Sequence, residues 1–315
     1  MLFNIINKGV IKILEYQLIA PSNSSYSAIE QILINRGLAE NEIYHYLNTT
    51  DNDILEPSLI SNIKEGAEML IKNINNHSFT TMIVDPDCDG FTSSAILMNY
   101  LNKVFPHFVS EIHYIMHSGK QHGIILDEIP EETEFLICAD SASNNYEQHK
   151  ILKDKGVDIL IIDHHEAEKN SSDACVINNQ LCDYPTKSLS GAGMVFKFCC
   201  YLDELLETSY ANDLVDLASL GLVADVMSLK DFETKRIVEK GIENIKNPFI
   251  QTMVERNSFS IGDHLTPTGI AFYIAPYVNA VIRVGTQEEK MLVFESMLET
   301  KALELIPSTK RGCQG

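Results

Sequence analysis

Short apolar runs rich in isoleucine and valine alternate with helical patterns through the middle of this sequence, and this alternation is its most restrictive feature. The runs lie at residues 81–84, 111–116, 135–139, 158–162 and 175–177, and helical patterns lie between them at residues 92–104 and 146–155. Strands that alternate with helices are typical of βαβ units, in which a mostly parallel sheet is covered by helices on both faces. The sequence therefore predicts an α/β fold with this architecture.

Helical patterns also precede and follow this central region. Residues 27–77 have helical spacing, with Ser27 as a cap and Ile29 facing inward. The spacing is again largely helical from Ser190 onward, and the polar tail at residues 308–315 is expected to be disordered. We therefore expect a helical N-terminal lead-in at residues 1–77, a central α/β domain at residues 78–232 and a mostly helical C-terminal segment at residues 233–315.

The net charge restricts the function of the chain. It has 24 Lys and Arg residues against 44 Asp and Glu residues, and its formal net charge is −20. This charge opposes loose electrostatic attachment to DNA, RNA or anionic lipid, and taken alone it favours a small-molecule enzyme or a protein partner. A nucleic-acid role therefore requires a local site, such as a bound metal, that reverses the sign of the field where the phosphate lies.

Three further features indicate a cytoplasmic protein without a membrane partner. Residues 1–20 contain Lys8, Lys12 and Glu15 among the apolar positions, so there is no clean signal-peptide core. The seven Cys residues include no C-x-x-C pair, which is typical of a reducing compartment. The longest uncharged run, at residues 265–282, is interrupted by proline and glycine, which argues against a membrane span.

Acidic and imidazole side chains follow three of the predicted strands. Residues 85–90 contain Asp85, Asp87 and Asp89 after the first run, Asp140 follows the third run, and Asp163, His164 and His165 follow the fourth. The carboxyl ends of parallel strands meet at one rim, where ligands of open α/β sheets collect. Such a crowd of carboxylates would repel itself unless cations compensate it, and oxygen donors with one or two imidazoles suit Mn²⁺ or Mg²⁺. The sequence therefore predicts two divalent cations at this rim, able to clamp a phosphate and activate a water molecule.

Two alternatives explain the first acidic loop without this chemistry. The D-x-D-x-D-G pattern resembles half of an EF-hand, and it also fits a solvated turn that binds no ligand. The EF-hand is disfavoured because no Glu stands at loop position 12 and because a strand precedes the loop. The solvated turn is weakened by the convergence of three strand ends, which a single loop does not explain.

Several segments together resemble the DHH phosphoesterase superfamily, and specifically its RecJ-type single-strand exonucleases. Asp163, His164 and His165 match the signature triplet, and residues 85–90 resemble the D-[YF]-D-A-D-G loop. Residues 188–197 resemble L-x-G-x-G-V-A-F-K, residues 216–229 resemble D-L-V-A-L-G-T-V-A-D-V-M-P-L, and residues 276–285 are similar to P-R-I-N-A-A-G-R-L-G. The resemblance runs from about residue 27 to residue 300, and it implies that residues 78–232 are a DHH catalytic domain.

The resemblance implies a specific set of metal ligands. Asp87 corresponds to a ligand of the first metal and Asp89 to a ligand of the second. Asp140 corresponds to the carboxylate that bridges both metals. His164 and Asp225 correspond to the remaining ligands of the second metal. Asp225 would otherwise be interpreted as a cap at the end of a helix, and only the resemblance assigns it to the metal site.

The resemblance also gives roles to three residues beside the metals. His165 would contact the scissile phosphate or help to protonate the leaving group, and Asp163 would orient the histidines. Asp85 would be a further carboxylate at or near the first metal. Many DHH enzymes have a His four residues before the Asp87 position, where this sequence has Ile83, so the first metal would depend more strongly on Asp85.

Three groups of residues are candidates for substrate binding. The turn of Ser190, Gly191 and Gly193 could cradle a terminal 5′-phosphate or could simply cap a helix. The pair Asn279 and Arg283 could hold the DNA backbone. Lys120 and His122 could supply the basic loop of the family or could be a solvated loop. The resemblance implies hydrolysis of single-stranded DNA from the 5′ end, in recombination, repair or replication.

RecJ proteins continue into a DHH-associated domain and commonly an oligonucleotide-binding fold, and nothing after Gly285 resembles either. We therefore expect a short form, a fragment, or a separate chain that supplies the DNA clamp. One alternative is a DHH phosphodiesterase that acts on short oligonucleotides or cyclic dinucleotides. Another is a non-catalytic replication scaffold, which the complete set of ligand residues disfavours.

Overall fold

The computed structural model describes residues 4–7, 10–13, 23, 25–117 and 121–300. The chain divides into two compact units, Met1–Thr49 and Thr50–Gly315. No helix among the described residues is both long enough and apolar enough to cross a bilayer.

The smaller unit contains a β-hairpin and two helices. Its elements are β1 (Asn4–Asn7), β2 (Val10–Ile13), α1 (Ala28–Asn35) and α2 (Ile43–Leu47), with β1 antiparallel to β2. The hairpin lies in a region for which only helices were predicted. Ser27 caps α1 as expected, through a capping box with Glu30. Ile29 was expected to face inward, and this expectation was wrong because the side chain is 58% exposed.

A five-stranded parallel sheet forms the centre of the larger unit. The strands are β3 (Thr80–Val84), β4 (His113–Met116), β5 (Phe135–Ala139), β6 (Asp158–Asp163) and β7 (Cys175–Asn178). Their order is β4-β3-β5-β6-β7, and every neighbouring pair is parallel. The predicted α/β fold is therefore confirmed.

Twelve helices of the larger unit are described. They are α3 (Ile63–Asn75), α4 (Cys88–Val104), α5 (Pro106–Glu111), α6 (Tyr146–Asp154), α7 (Gly191–Leu206), α8 (Val215–Ala224), α9 (Phe232–Glu243), α10 (Pro248–Arg256), α11 (Ser258–Ile261), α12 (Pro267–Tyr273), α13 (Ala275–Val284) and α14 (Gln287–Ser296). The predicted helix at residues 92–104 begins four residues earlier, at Cys88, because Asp87 caps it by accepting from the Gly90 N–H at 2.8 Å. The acidic loop is therefore partly the first turn of a helix.

Helices cover both faces of the sheet. Successive residues of a strand point to opposite sides, so each face presents its own set of side chains to a layer of helices. Met82 and Val84 of β3 enter one hydrophobic core, whereas Ile83 between them enters the other. The larger core contains residues of α3, α4, α7 and α8, and the smaller core contains Leu152 of α6. This alternation gives β3 and β5 two buried faces, which explains why the central strands appear in the sequence as largely apolar runs.

The C-terminal helices are tied to the sheet domain by buried contacts. Phe294 of α14 packs edge-to-face against Phe91 and Tyr114, with ring centroids 5.6 and 5.5 Å apart. A fully buried ion pair joins Lys197 of α7 to Glu233 of α9 at 2.9 Å. These contacts join α14 to α4 and β4, and α9 to α7.

Candidate metal centre

Three strand ends place carboxylates at one rim of the sheet. Asp85 follows β3, Asp140 follows β5, and Asp163 is the last residue of β6. All three side chains are buried. Because β5 lies between β3 and β6, Asp140 stands in the middle of the row. Neighbouring parallel strands lie about 4.8 Å apart, which is close enough for ligands of adjacent strands to share an ion.

The first group of possible metal ligands consists of Asp85, Asp87 and Asp140. One oxygen of each lies within 4.8 Å of the others. Oδ1 of Asp85 and Oδ1 of Asp140 are buried and accept no hydrogen bond. Buried carboxylate oxygens are normally satisfied, so these two atoms are acceptors that a bound cation would satisfy. The group fits a hard divalent cation.

A second group adjoins the first. It consists of Asp89, His164 and Asp225, whose ligand atoms also lie within 4.8 Å of one another. Nε2 of His164 is 3.8 Å from Asp89 Oδ2 and 3.5 Å from Asp225 Oδ2. The same nitrogen is 3.2 Å from Asp140 Oδ1. Asp140 therefore lies between the two groups, as expected for a bridging carboxylate.

Asp163 holds the histidine pair from behind. Its Oδ1 accepts from the backbone N–H of His164 at 2.8 Å and lies 2.8 Å from Nδ1 of His165. Its contact with His164 is through the backbone alone, so it orients the ring of His165 and not that of His164. Despite the opposing effect of burial, hydrogen bonds and the charge of His165 lower the pKa of Asp163 to about 2. The same contact raises the pKa of His165 to about 9.

Two residues that support Asp163 were not identified from the sequence. The backbone N–H of Ser143 donates to Asp163 Oδ2 at 3.0 Å, and Asn178 donates to Ser143 Oγ and to the carbonyl of His165, both at 2.9 Å. Asn178 is the last residue of β7, so β7 contributes to the same rim as β3, β5 and β6. The position of Asn178 directly after an apolar run was the available signal.

The backbone at Asp140 adopts a rare conformation. Its φ angle is 68°, and that of Ala142 is 83°, so two residues with side chains occupy the left-handed region. Each such residue costs of order 1–3 kcal/mol, and the cost is typically found at functional sites. The backbone therefore bends sharply where the central carboxylate must project.

The N-terminus of α7 donates hydrogen bonds to both carboxylate oxygens of Asp89. Ser190 Oγ and the N–H of Ala192 donate to Oδ1 at 2.8 and 3.1 Å, and the N–H of Gly191 donates to Oδ2 at 2.7 Å. The N–H of Gly193 is taken by Ser190 Oγ at 3.4 Å. In this arrangement a helix N-terminus binds a protein carboxylate and not a terminal phosphate, which is a different contact from the predicted cradle.

Two glycines allow this close packing. A Cβ at Gly191 would lie 2.3 Å from Asp140 Oδ1, and a Cβ at Gly221 would lie 2.4 Å from Asp89 Oδ1. Both distances are shorter than real Cβ contacts, so a side chain at either position would displace a candidate ligand. Gly191 was identified from the sequence as a candidate residue, but its close packing against Asp140 was not.

Burial and mutual repulsion raise the pKa of most of these carboxylates. Burial, followed by the neighbouring aspartates, raises the pKa of Asp85 to about 6 and that of Asp225 to about 6, and it also raises the pKa of Asp87 and of Asp140. No Lys or Arg makes an ion pair with them among the described residues. A pair of divalent cations would relieve this repulsion, and the vacant oxygens with one imidazole match Mn²⁺ or Mg²⁺.

The remaining predicted residues lie at different distances from the centre. Nδ1 of His122 is 2.9 Å from Asp85 Oδ2, so the structure brings His122 to the first group. Lys120 lies outside the described residues. Asn279 and Arg283 share one side of α13, where Asn279 is half-buried and Arg283 is exposed. Neither makes a hydrogen bond or ion pair with the candidate ligands, and their predicted role in holding DNA remains a prediction.

This parallel α/β domain carries paired Asp and His groups at one rim, and it is similar to one protein-family model. Residues 81–222 match the DHH family N-terminal domain. This part of the chain is therefore similar to DHH family domains.

Two bacterial proteins are similar to this chain over most of its length. The chain is 37% identical over 300 residues to YorK of Bacillus subtilis strain 168, provisionally named an SPbeta prophage-derived single-strand DNA-specific exonuclease; the match covers 95% of this chain and 51% of YorK. It is 26% identical over 295 residues to the single-stranded-DNA-specific exonuclease RecJ of the same organism, which covers 87% of this chain and 36% of RecJ. The chain is homologous to both proteins and spans about half of YorK and a smaller share of RecJ.

Solved structures show the same fold. A RecJ exonuclease bound to manganese superposes with a TM-score of 0.66 and 24% identity, covering 75% of this chain and 62% of that chain. RecJ of Thermus thermophilus in complex with Mn²⁺ gives a TM-score of 0.65 at 23% identity, covering 79% of this chain and 37% of that chain. The fold of about three quarters of this chain is therefore similar to part of these two RecJ structures.

Proposed function

We propose that this protein hydrolyses phosphodiester bonds with the help of two divalent cations, Mn²⁺ or Mg²⁺. The observation that carries the proposal is the pair of adjoining ligand groups, in which Asp140 of the first group lies 3.2 Å from His164 of the second, with two buried carboxylate oxygens that accept no hydrogen bond. Two cations bound there would hold phosphate oxygens and make a nearby water molecule more acidic. The homology to DHH proteins supports the same chemistry.

The residues of the chain have distinct roles in this proposal. Asp85 and Asp87 would hold the first cation, Asp140 would bridge, and Asp89, His164 and Asp225 would hold the second, as the two groups of ligand atoms suggest. The N-terminus of α7 fixes Asp89 through three hydrogen bonds, two to Oδ1 and one to Oδ2, which leaves one lone pair of Oδ2 for the second cation.

His165 would contact the substrate directly. Its Nδ1 is bound to Asp163 at 2.8 Å, and its side chain is 59% exposed, so Nε2 is available to the phosphate or to the leaving oxygen. A histidine held by a buried carboxylate in one orientation is suited to donate a hydrogen bond or a proton there. Asp163 is the positioning residue for this contact.

The substrate we propose is single-stranded DNA, degraded from its 5′ end during recombination, repair or replication. The names of the homologous proteins support this substrate class. The local cations would reverse the repulsion that a net charge of −20 exerts on phosphate. If the protein holds DNA with a clamp, another part of the polypeptide or a separate partner protein would supply it.

A Mn²⁺-dependent degradation assay on strands labelled at the 5′ or at the 3′ end tests this function. Asp140→Ala and His164→Ala should each lower the rate by at least about 100-fold without unfolding the protein, because each removes a shared or central ligand. Asp154→Ala and His107→Ala, at exposed positions away from the rim, serve as matched controls. Unchanged activity in either rim variant would reject the site, and release of nucleotides from the 3′ end alone would reject the polarity.

The second candidate is hydrolysis of short oligonucleotides or cyclic dinucleotides, which the net charge of −20 favours because fewer phosphates approach the protein. The rates on a long 5′-phosphorylated strand and on a dinucleotide decide between them. A higher kcat/KM for the dinucleotide would favour the second candidate. The absence of Mn²⁺ binding in isothermal titration would instead favour a scaffold without catalysis.

A further inference from the structure

One fully buried histidine takes no part in the proposed chemistry. His149 lies in α6, and its side chain is 0% exposed. Both nitrogens of its ring have a hydrogen-bond partner. Nε2 is 3.1 Å from the carbonyl oxygen of Ala142, and Nδ1 is 3.1 Å from Oγ of Ser171. The ring of His149 therefore joins two separate loops of the sheet domain.

These two loops carry the residues at the centre of the rim. Ala142 lies two residues after Asp140, in the loop that follows β5. Ser171 lies in the loop that follows β6 and begins with His164. His149 is therefore bonded on one side to the loop of the proposed bridging carboxylate and on the other side to the loop of a proposed ligand of the second cation.

The donors and acceptors around the ring have one consistent assignment. The carbonyl of Ala142 can only accept, so Nε2 carries the proton of the ring. Ser171 Oγ then donates to Nδ1, and the same hydroxyl accepts from the backbone N–H of Asp173 at 3.2 Å. Burial lowers the pKa of His149, which keeps the ring neutral as this assignment requires. The hydrogen bonds run in one direction, from the second loop through the ring to the carbonyl of Ala142.

The backbone at Ala142 has a conformation that alanine does not favour. Its φ angle is 83°, in the left-handed region that glycine adopts freely. A Cβ atom lowers the population of this region by about 10-fold. The carbonyl of Ala142 accepts from the backbone N–H of Asn145 at 3.0 Å as well as from His149. Two hydrogen bonds therefore stabilise the chain at a residue whose φ angle is unfavourable.

The residues on either side of Ala142 are both attached to β6. The N–H of Asp140 donates to the carbonyl of Ile162 at 2.8 Å, and the N–H of Ser143 donates to Asp163 Oδ2 at 3.0 Å. A change of the φ angle at Ala142 from positive to negative redirects the chain between these two contacts. It would therefore strain or break one of them and move the carboxylate that depends on it.

We propose that His149 is a positioning residue that holds Ala142 in the left-handed conformation and so keeps Asp140 in place as the shared ligand of two cations, an inference that rests on the proposed function. The hydrogen bond to Ala142 fixes the loop after β5. The hydrogen bond from Ser171 fixes the ring itself against the loop after β6. The distance of 3.2 Å between Asp140 Oδ1 and His164 Nε2 is thus set in part by a side chain that touches neither residue.

Mn²⁺ affinity measured by isothermal titration tests the proposal. If the loop adopts the competent conformation only about one tenth of the time, the apparent dissociation constant rises about 10-fold. His149→Leu, which keeps the site apolar and bonds neither loop, should therefore weaken Mn²⁺ binding about 10-fold. His149→Gln, whose side-chain amide can donate to the carbonyl of Ala142, should stay within about threefold of the wild type.

Ala142→Gly distinguishes a positioning role from a merely structural one. Glycine adopts positive φ angles without a Cβ penalty, so the loop should no longer depend on His149. Adding Ala142→Gly to His149→Leu should restore Mn²⁺ affinity to within about threefold of the wild type, although no hydrogen bond of His149 returns. Thr81→Val is the control, because it removes a buried hydrogen bond of 2.8 Å to Thr133 at the end of β3 that lies away from the rim. It should lower the Tm in EDTA and leave Mn²⁺ affinity unchanged.

Wild-type Mn²⁺ affinity in His149→Leu would overturn the inference. A loss of affinity that Ala142→Gly does not restore, or that Thr81→Val reproduces at an equal loss of Tm, would also overturn it. If His149→Leu does not fold, Ser171→Ala takes its place; it should weaken Mn²⁺ binding about threefold, and unchanged affinity would overturn the inference.

The proposed function fails in a different way. A wild-type protein that binds Mn²⁺ but hydrolyses neither a long strand nor a dinucleotide, with an affinity that still depends on His149, would reject hydrolysis alone. Absence of Mn²⁺ binding by the wild type would overturn both.

Discussion

Adding one methyl group at Gly191 should damage the metal centre without removing any ligand. A Cβ at this position would lie 2.3 Å from Asp140 Oδ1 and 2.5 Å from Asp140 Cβ. Reaching ordinary contact requires a shift of about 1 Å, and overpacking of this kind costs about 1–3 kcal/mol of the free energy of unfolding. Asp140 cannot yield easily, because its N–H is bound to the Ile162 carbonyl at 2.8 Å and its φ angle is 68°.

The functional effect of Gly191→Ala should exceed its effect on stability. A displacement of about 1 Å at a reacting or ligating group lowers rates by about 100-fold. Isothermal titration with Mn²⁺, thermal unfolding in EDTA and the degradation assay measure the three consequences separately.

Gly193→Ala is the matched control on the same helix. Its Cβ would lie 3.1 Å from Leu222 Cδ2, at the end of a flexible side chain, and it would meet no candidate ligand. We expect this variant to bind Mn²⁺ like the wild type. If Gly191→Ala also kept wild-type Mn²⁺ affinity and activity, the placement of Asp140 between the two ligand groups would be refuted.

Three further predictions concern the surroundings of the site. His122→Ala should weaken Mn²⁺ binding about 10-fold in isothermal titration, because Asp85 loses the imidazole that holds its Oδ2; unchanged affinity would contradict this role. Lys197→Met should lower the free energy of unfolding by about 3–5 kcal/mol in urea, because it leaves the carboxylate of a buried ion pair without its partner, and Mn²⁺ affinity should not change. In EDTA, the stability that the Asp163–His165 pair contributes should be lost at both ends of the pH range. Because the pKa of Asp163 is lowered, the loss should occur as the pH falls from 3.8, the ordinary pKa of Asp, through about 2. Because the pKa of His165 is raised, the loss should also occur as the pH rises from 6.5, the ordinary pKa of His, through about 9. The difference in unfolding free energy between wild type and His165→Gln should therefore be largest between these windows, and a difference independent of pH would contradict the pairing.

Much of the sheet could be predicted from the sequence, because strands buried on both faces are mostly apolar. The run at residues 135–139 became β5 without any change of bounds, and Asp158 begins β6 as expected. The hairpin at β1 and β2 was missed because two four-residue strands with little alternation of polar and apolar residues are hard to distinguish from a helix. Helix starts were less well placed, since Asp87 serves both as a cap and as a candidate ligand.

The site could be predicted only as far as strand order determines it. Asp85, Asp140 and Asp163 follow strands, so their convergence follows from parallel topology. Asp225 ends α8, about 60 residues after His164, and no spacing rule links the two; only the family resemblance assigned it to the metals, and the structure brings it within 3.5 Å of His164.

The turn at residues 190–193 shows the limit of motif reasoning. A helix N-terminus preceded by Ser and flanked by Gly predicts an anion-binding site, and the structure does place an anion there. The anion is the carboxylate of Asp89, contributed by a helix about 100 residues earlier in the chain. The sequence indicated the chemistry of the turn, but the identity of its partner depended on how α4 packs against α7.

The central claim is that two divalent cations occupy the rim of the sheet. Anomalous diffraction at the manganese edge, from crystals of the protein grown with Mn²⁺, tests it most directly. We predict two peaks about 3.5–4 Å apart, one beside Asp85 and Asp87 and one beside Asp89, His164 and Asp225, with Asp140 contacting both. A rim without anomalous peaks at saturating Mn²⁺, or peaks only at other surface carboxylates, would contradict the account.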